Sequence, residues 1–222
     1  MVMLGFPDTT HVTLDMMLHH TAAVARGVKN ALIIGDMPIH SYDTPKQALI
    51  TAKALVGAGA DVVKLEGGIK QVEKVRAIVA AGIPVIGHLG MLPQQVRIEG
   101  GYKKKGKTPA QADALLADAD AVAQAGAFAV VLEKVPATLA DKITADIPIP
   151  TIGIGASAGT RTLGSRPDNA KQLVSTCSVS RPSANPVMLI CSLSRIEDTG
   201  VLGRISHPST SSPGVGSRSS AT

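Results

Sequence analysis

Tryptophan is absent from this 222-residue chain, and phenylalanine and tyrosine occur only twice each. No aromatic platform is available for stacking the bases of a single-stranded nucleic acid. A core must instead be built from Val, Ile, Leu, Ala and Met, which the 45% apolar content allows. Cysteine is almost missing: Cys177 and Cys191 have no CxxC spacing, so neither a zinc nor a disulfide framework is written into the chain. A reducing compartment is the default. No apolar run approaches the roughly 18 residues needed to cross a bilayer. The opening MVMLGFPDTT carries neither the basic segment nor the long apolar segment of a secretory signal. The expected location is therefore cytoplasmic, with a mitochondrial one left open because a targeting segment would precede the first strand. Neither nucleic acid nor membrane is an expected partner.

Serine is scarce in one part of the chain and abundant in the other. Residues 1–156 contain Ser41 alone, whereas residues 157–222 contain fifteen. Charge divides at the same place, with 15 Lys and Arg against 14 Asp and Glu up to residue 156, and 7 against 3 beyond it. The formal +5 thus belongs mostly to the tail and implies no polyanion partner. Scattered Pro and Gly without sustained periodicity make 160–222 read as a disordered, serine-rich tail. The abruptness of the break favours a shifted reading frame or intron read-through over an ordinary flexible extension.

What is present before that break is a rhythm. ALIIGD, DVVKLEGG, IPVIGHLG, AFAVVLEKVP and IPTIGIGAS are short apolar runs that end on charged or glycine-rich clusters. Helical patterns lie between them, at Thr13–Gly27 with Thr13 as cap and Gly27 as closure, at residues 44–60, at 69–81 and at about 109–125. Strand and helix alternating at this interval predict βαβ units and a parallel sheet. In a parallel barrel all carboxyl ends of the strands converge on one rim. Asp36, Lys64, Glu66, His88 and Glu133 stand at those ends.

Residues two apart on a strand share a face, so Lys64 and Glu66 point the same way, and Asp36 sits one strand earlier. Two carboxylates from neighbouring strands suit a hard divalent ion such as Mg2+. An ion pair of purely structural use is the equally simple alternative. The lysines 103, 104, 105 and 107 lie in an extra loop on the rim, where they could attract an anion; a solvated basic loop is the commoner state of such runs. His19 and His20 fall within a helix, away from the strand ends, and Ser41 and Tyr42 follow Asp36 on the rim.

The segments IIGDMPIHSY, VKLEGG, PVIGHLGMLPQQV, GGYKKKGKT, VLEKVPATLA and IPTIGIGA together resemble the 3-methyl-2-oxobutanoate (ketopantoate) hydroxymethyltransferase family along residues 1–159. The resemblance implies a (β/α)8 TIM barrel of the phosphoenolpyruvate/pyruvate type, here with about five of its eight strands. It implies transfer of a one-carbon unit from 5,10-methylenetetrahydrofolate to 3-methyl-2-oxobutanoate in pantothenate and coenzyme A synthesis, with Mg2+ as cofactor, in a homo-oligomer. Asp36 and Glu66 would bind the metal, Asp36 and Lys64 would contact substrate, and Glu133 would be the proton acceptor. His88 would hydrogen-bond substrate or hold an acid, with rim packing as the alternative. Family members begin with a strand and helix and then a strand ending in a further Asp-Ser motif, which is not found before MVMLG. The chain as written is accordingly expected to be aggregation-prone and to show little transferase activity alone. Another Mg2+-dependent enzyme acting through a 2-oxo acid enolate, of lyase type, and a non-catalytic fragment that joins intact subunits are the competing readings.

Overall fold

The first four strands each form on a short, mostly buried apolar run that ends on a charged or glycine-bearing cluster, the pattern of a parallel strand covered on both faces. The computed structural model describes residues 4–156 together with Ile190 and Cys191. Its strands are β1 (Leu32–Asp36), β2 (Val62–Glu66), β3 (Val85–Gly90), β4 (Ala129–Glu133) and β5 (Thr151–Ile154). Each pairs in parallel with the next in sequence, which is the order of a barrel wall. The expected parallel β/α architecture is thus present with five strands. The sheet also has a sixth member: β6 (Ile190–Cys191) runs antiparallel along β1, pairing Leu32 with Cys191 and Ile33 with Ile190. It falls at the end of PVMLIC, one of the short apolar patches in a tail that otherwise reads as disordered. The rest of the expected disordered tail lies outside the described residues.

The connections are α1 (Leu14–Gly27), α2 (Pro45–Gly57), α3 (Val72–Ala80), α4 (Pro109–Gln124) and α5 (Ala137–Asp146). Thr13, Thr44 and Thr108 cap three of them by accepting a hydrogen bond from the backbone N–H three residues on, at 3.3, 3.2 and 3.3 Å. Two details differ from the pattern. Gly27 is the last helical residue of α1 and Val28 is its cap. The segment from residue 69 opens as a 3-10 turn (Ile69–Gln71) before α3 begins. Asp118 on α4 takes the Ile69 N–H at 2.8 Å, which ties that turn to a neighbouring helix.

Alternation along the strands produces two different faces. Ile34, Val62, Ile86, Ala129 and Val131 form one buried apolar cluster on the inner face. Residues of the opposite parity, including Val63, Leu65, Val85, Val130 and Leu132, pack in two further clusters with Leu55, Ile78, Val122, Leu139 and Ile143 from the helices. Asp36, Lys64, Glu66, His88 and Glu133 share the parity of the inner cluster, two or four residues further along each strand. They therefore sit directly above an apolar floor, at the carboxyl ends. Among the described residues no helix is long and apolar enough to cross a membrane.

Candidate active site

The strand register brings the five side chains into one row. Asp36 is the Cα partner of Lys64 across β1 and β2, Glu66 that of His88 across β2 and β3, and Gly90 that of Glu133 across β3 and β4. Lys64 Nζ stands 2.7 Å from Asp36 Oδ2 and 4.0 Å from Glu66 Oε1. It also lies 3.4 Å from His88 Nδ1. The other imidazole nitrogen, Nε2, is 3.2 Å from Glu133 Oε2. Asp36, Glu66 and His88 are 5%, 3% and 2% exposed, so this polar row is shielded from water. The Glu133 side chain, 14% exposed, is the most open of the three carboxylates.

Burial dominates the electrostatics of the row. It raises Asp36 above the usual carboxylate range against the pull of Lys64, and it raises Glu66 to about 7, with Lys64 opposing and Asp36 adding to the rise. Burial also lowers His88 to about 4, helped by the Lys64 charge and opposed by Glu133. The imidazole is therefore neutral near pH 7. With Lys64 donating to Nδ1, its proton belongs on Nε2, which lies 3.2 Å from Glu133 Oε2 without the alignment of a hydrogen bond. Burial alone would depress Lys64, but Asp36, Glu66 and Glu133 outweigh it and raise the ammonium above its ordinary value. Lys64 stays charged and serves as the countercharge of the row.

The donor set fits a divalent ion in part. Asp36 Oδ1 and Glu66 Oε1 are buried carboxylate oxygens with no hydrogen-bond partner among the described residues. Such oxygens cost free energy unless a cation or donor meets them. No group of three or more His, Cys, Asp or Glu side chains able to hold a metal occurs among the described residues. Mg2+ is commonly held by one or two carboxylates, with water and substrate oxygens supplying the rest, so the pair meets the lower end of that need.

Several contacts around the row have no counterpart in the sequence pattern. Gln94, in the 3-10 turn Pro93–Gln95 after β3, donates its backbone N–H to Glu66 Oε2 at 3.0 Å and its side-chain amide to the Met37 carbonyl at 2.8 Å. Tyr42 donates its hydroxyl to Gln94 Oε1 at 2.5 Å. Only the proximity of PQQ to a strand end could have pointed to it. The basic loop lies beside the row, since the Lys105 N–H bonds the carbonyl of Lys134, the residue after Glu133, at 3.1 Å. Lys105 itself pairs with Glu99 at 2.9 Å, while Lys103, Lys104 and Lys107 are exposed. His19 and His20 are on α1, edge to face with one another, outside the row. Ser41 is buried, and its carbonyl accepts from Thr51.

Parallel strands wound with helices, and acids, an ammonium and an imidazole gathered at the carboxyl ends, define part of a parallel β/α barrel with a polar site on its rim. Solved structures agree on the fold. Phosphoenolpyruvate phosphomutase from Streptomyces platensis subsp. rosaceus matches with a TM-score of 0.50 at 17% identity, over 72% of this chain and 58% of that one. Oxaloacetate acetylhydrolase in complex with the product oxalate matches with a TM-score of 0.52 at 18% identity, over 68% of this chain and 54% of that one.

The chain belongs to the ketopantoate hydroxymethyltransferase family, whose model matches residues 1–163. Among curated relatives, the 3-methyl-2-oxobutanoate hydroxymethyltransferase of Clostridium novyi (strain NT) is 52% identical over 161 residues, 72% of this chain and 58% of the relative. That of Ruegeria sp. (strain TM1040) is 55% identical over 161 residues, 72% of this chain and 57% of the relative. The chain thus spans somewhat over half the length of the curated relatives it matches.

Proposed function

We propose that the row is the acceptor-substrate site of a hydroxymethyl transfer from 5,10-methylenetetrahydrofolate to 3-methyl-2-oxobutanoate, giving 2-dehydropantoate for pantothenate and coenzyme A synthesis. The observation that carries this reading is a shielded row in which one ammonium and a neutral imidazole stand among three carboxylates, with His88 Nε2 3.2 Å from Glu133 Oε2, inside a chain of this family. Lys64 offsets the carboxylate of the incoming 2-oxo acid. Asp36 and Glu66 would hold Mg2+, which supplies a Lewis acid for the keto oxygen when bound. Glu133 accepts the proton from C3, with the His88 imidazole beside its carboxylate. The electron pair left on C3 forms the new bond to the one-carbon unit. Water cleaves that unit from folate, its oxygen becoming the hydroxyl. The second water proton and the one taken by Glu133 go to the two nitrogens freed as both C–N bonds of the donor break to give tetrahydrofolate. The apolar floor of Ile34, Val62, Ile86, Ala129 and Val131 closes the site from below against water.

Proton exchange at C3 isolates the first step. In D2O with Mg2+, 3-methyl-2-oxobutanoate should lose its C3 proton signal in proton NMR spectra, and Glu133→Gln should slow that loss about 100-fold or more. Addition of methylenetetrahydrofolate should yield the hydroxymethyl product only slowly, in keeping with the little transferase activity expected of this chain alone. Exchange that is equally fast in Glu133→Gln, or cleavage of a carbon–carbon bond in the absence of folate, would overturn the assignment.

A further inference from the structure

We infer that Gln94 and Tyr42 form a positioning bracket that sets the separation of Asp36 and Glu66. The inference rests on the proposed role of those two carboxylates as metal ligands. Gln94 is 4% exposed, and each of its three bonds lands on a different element. Its amide nitrogen reaches the carbonyl of Met37, the residue immediately after Asp36 on β1. Its backbone N–H holds Glu66 Oε2 at the end of β2. Its amide oxygen receives the hydroxyl of Tyr42 from the segment that leads into α2.

The chemistry requires a side chain that donates and accepts at one tip. A leucine or methionine could do neither, and an ionised glutamate could not donate to the Met37 carbonyl. Tyr42 is fixed as the donor, because burial and the nearby Glu66 and Asp36 charges hold its phenol well above its usual range. The bracket takes up one oxygen of Glu66 and leaves the other, Oε1, within the row, 3.8 Å from His88 Nδ1. A cavity of about 10 Å3 beside Gln94, lined also by Thr9 and Asp36, is no larger than one water. A shorter side chain at position 94 would enlarge it, so a test variant should conserve volume.

The full 222-residue chain would be titrated with Mn2+, with free ion followed by electron paramagnetic resonance and thermal unfolding recorded in parallel. Tyr42→Phe, which deletes one hydroxyl, and Gln94→Met, which keeps the volume, are each expected to weaken Mn2+ binding about tenfold, the usual size of such outer-contact losses. The double variant should bind no more weakly than Gln94→Met alone, because both act through one bracket. If either single variant loses thermal stability yet binds Mn2+ as the wild type does, Tyr42 and Gln94 are packing residues and the bracket is refuted. If the wild type binds no more Mn2+ than Asp36→Asn, the metal reading of Asp36 and Glu66 is refuted and the bracket falls with it.

Discussion

His88 is the residue where one environment fixes both a proton and a role. Its neutral state is imposed by burial and by Lys64, and that state has a consequence for stability. A histidine whose folded value is lowered, here to about 4 from 6.5, contributes stability that is complete above the unfolded value and lost as pH falls towards the folded one. Glu66 acts in the opposite sense: raised to about 7 from 4.5, it weighs against folding when ionised and is relieved as pH falls through 7 towards 4.5. A comparison with His88→Gln removes the Glu66 effect from the balance. Between pH 7.5 and pH 5 the wild type should lose about 2 kcal/mol relative to that variant, read from urea midpoints. Parallel pH profiles for the two proteins would show that His88 is not held neutral.

At the scale of elements, the loop after β2 is set by a contact between Gly68 and α4. A Cβ at Gly68 would land on the Asp118 carboxyl, the same group that accepts the Ile69 N–H. Gly68→Ala should therefore destabilise the fold and release Ile69 to faster amide exchange. Asp118→Ala alone should cost about 1 kcal/mol for the lost hydrogen bond. Because it removes the obstacle, Asp118→Ala should also reduce the penalty of Gly68→Ala in a double-variant cycle; additive penalties would contradict the contact. Gly90 is held for another reason: its φ is +92°, and a Cβ there would strike the Glu133 carbonyl oxygen.

These contacts mark where the sequence ceases to be legible. The five strand ends could be read because alternation, a property of neighbours in the chain, decides which side chains share a face. The threonine caps of α1, α2 and α4 were equally local. By contrast, α5 follows Pro136, which offers no side-chain cap bond, so its start carries no signal of that kind. Gln94 to Met37, Gln94 to Glu66 and Asp118 to Ile69 are meetings across the fold, and no spacing announces them. The 3-10 turn ahead of α3 is hidden for the same reason: Asp118, 49 positions away, accepts the Ile69 N–H where that turn begins.

For the molecule as a whole, the order β5-β4-β3-β2-β1-β6 places one row of polar groups along a single wall. Three carboxylates, Asp36, Glu66 and Glu133, face one ammonium, that of Lys64, so the row has an excess of negative charge when all are ionised. A doubly charged cation matches that excess better than an alkali ion. MgCl2 should raise the unfolding temperature where KCl of equal ionic strength does not, with a gain of about 3 kcal/mol when Mg2+ is a hundredfold above its Kd. Asp36→Asn should abolish the difference between the salts; equal effects of the two salts on the wild type would count against the metal reading. The floor of Ile34, Val62, Ile86, Ala129 and Val131 gives this wall one more property. It offers no polar group that could absorb a change of charge above it, so the loss of Lys64 in some descendant would have to be matched by the loss of a carboxylate. Divergence on this sheet would then proceed by coupled substitutions on adjacent strands, and the ancestry of a new activity would be written in pairs.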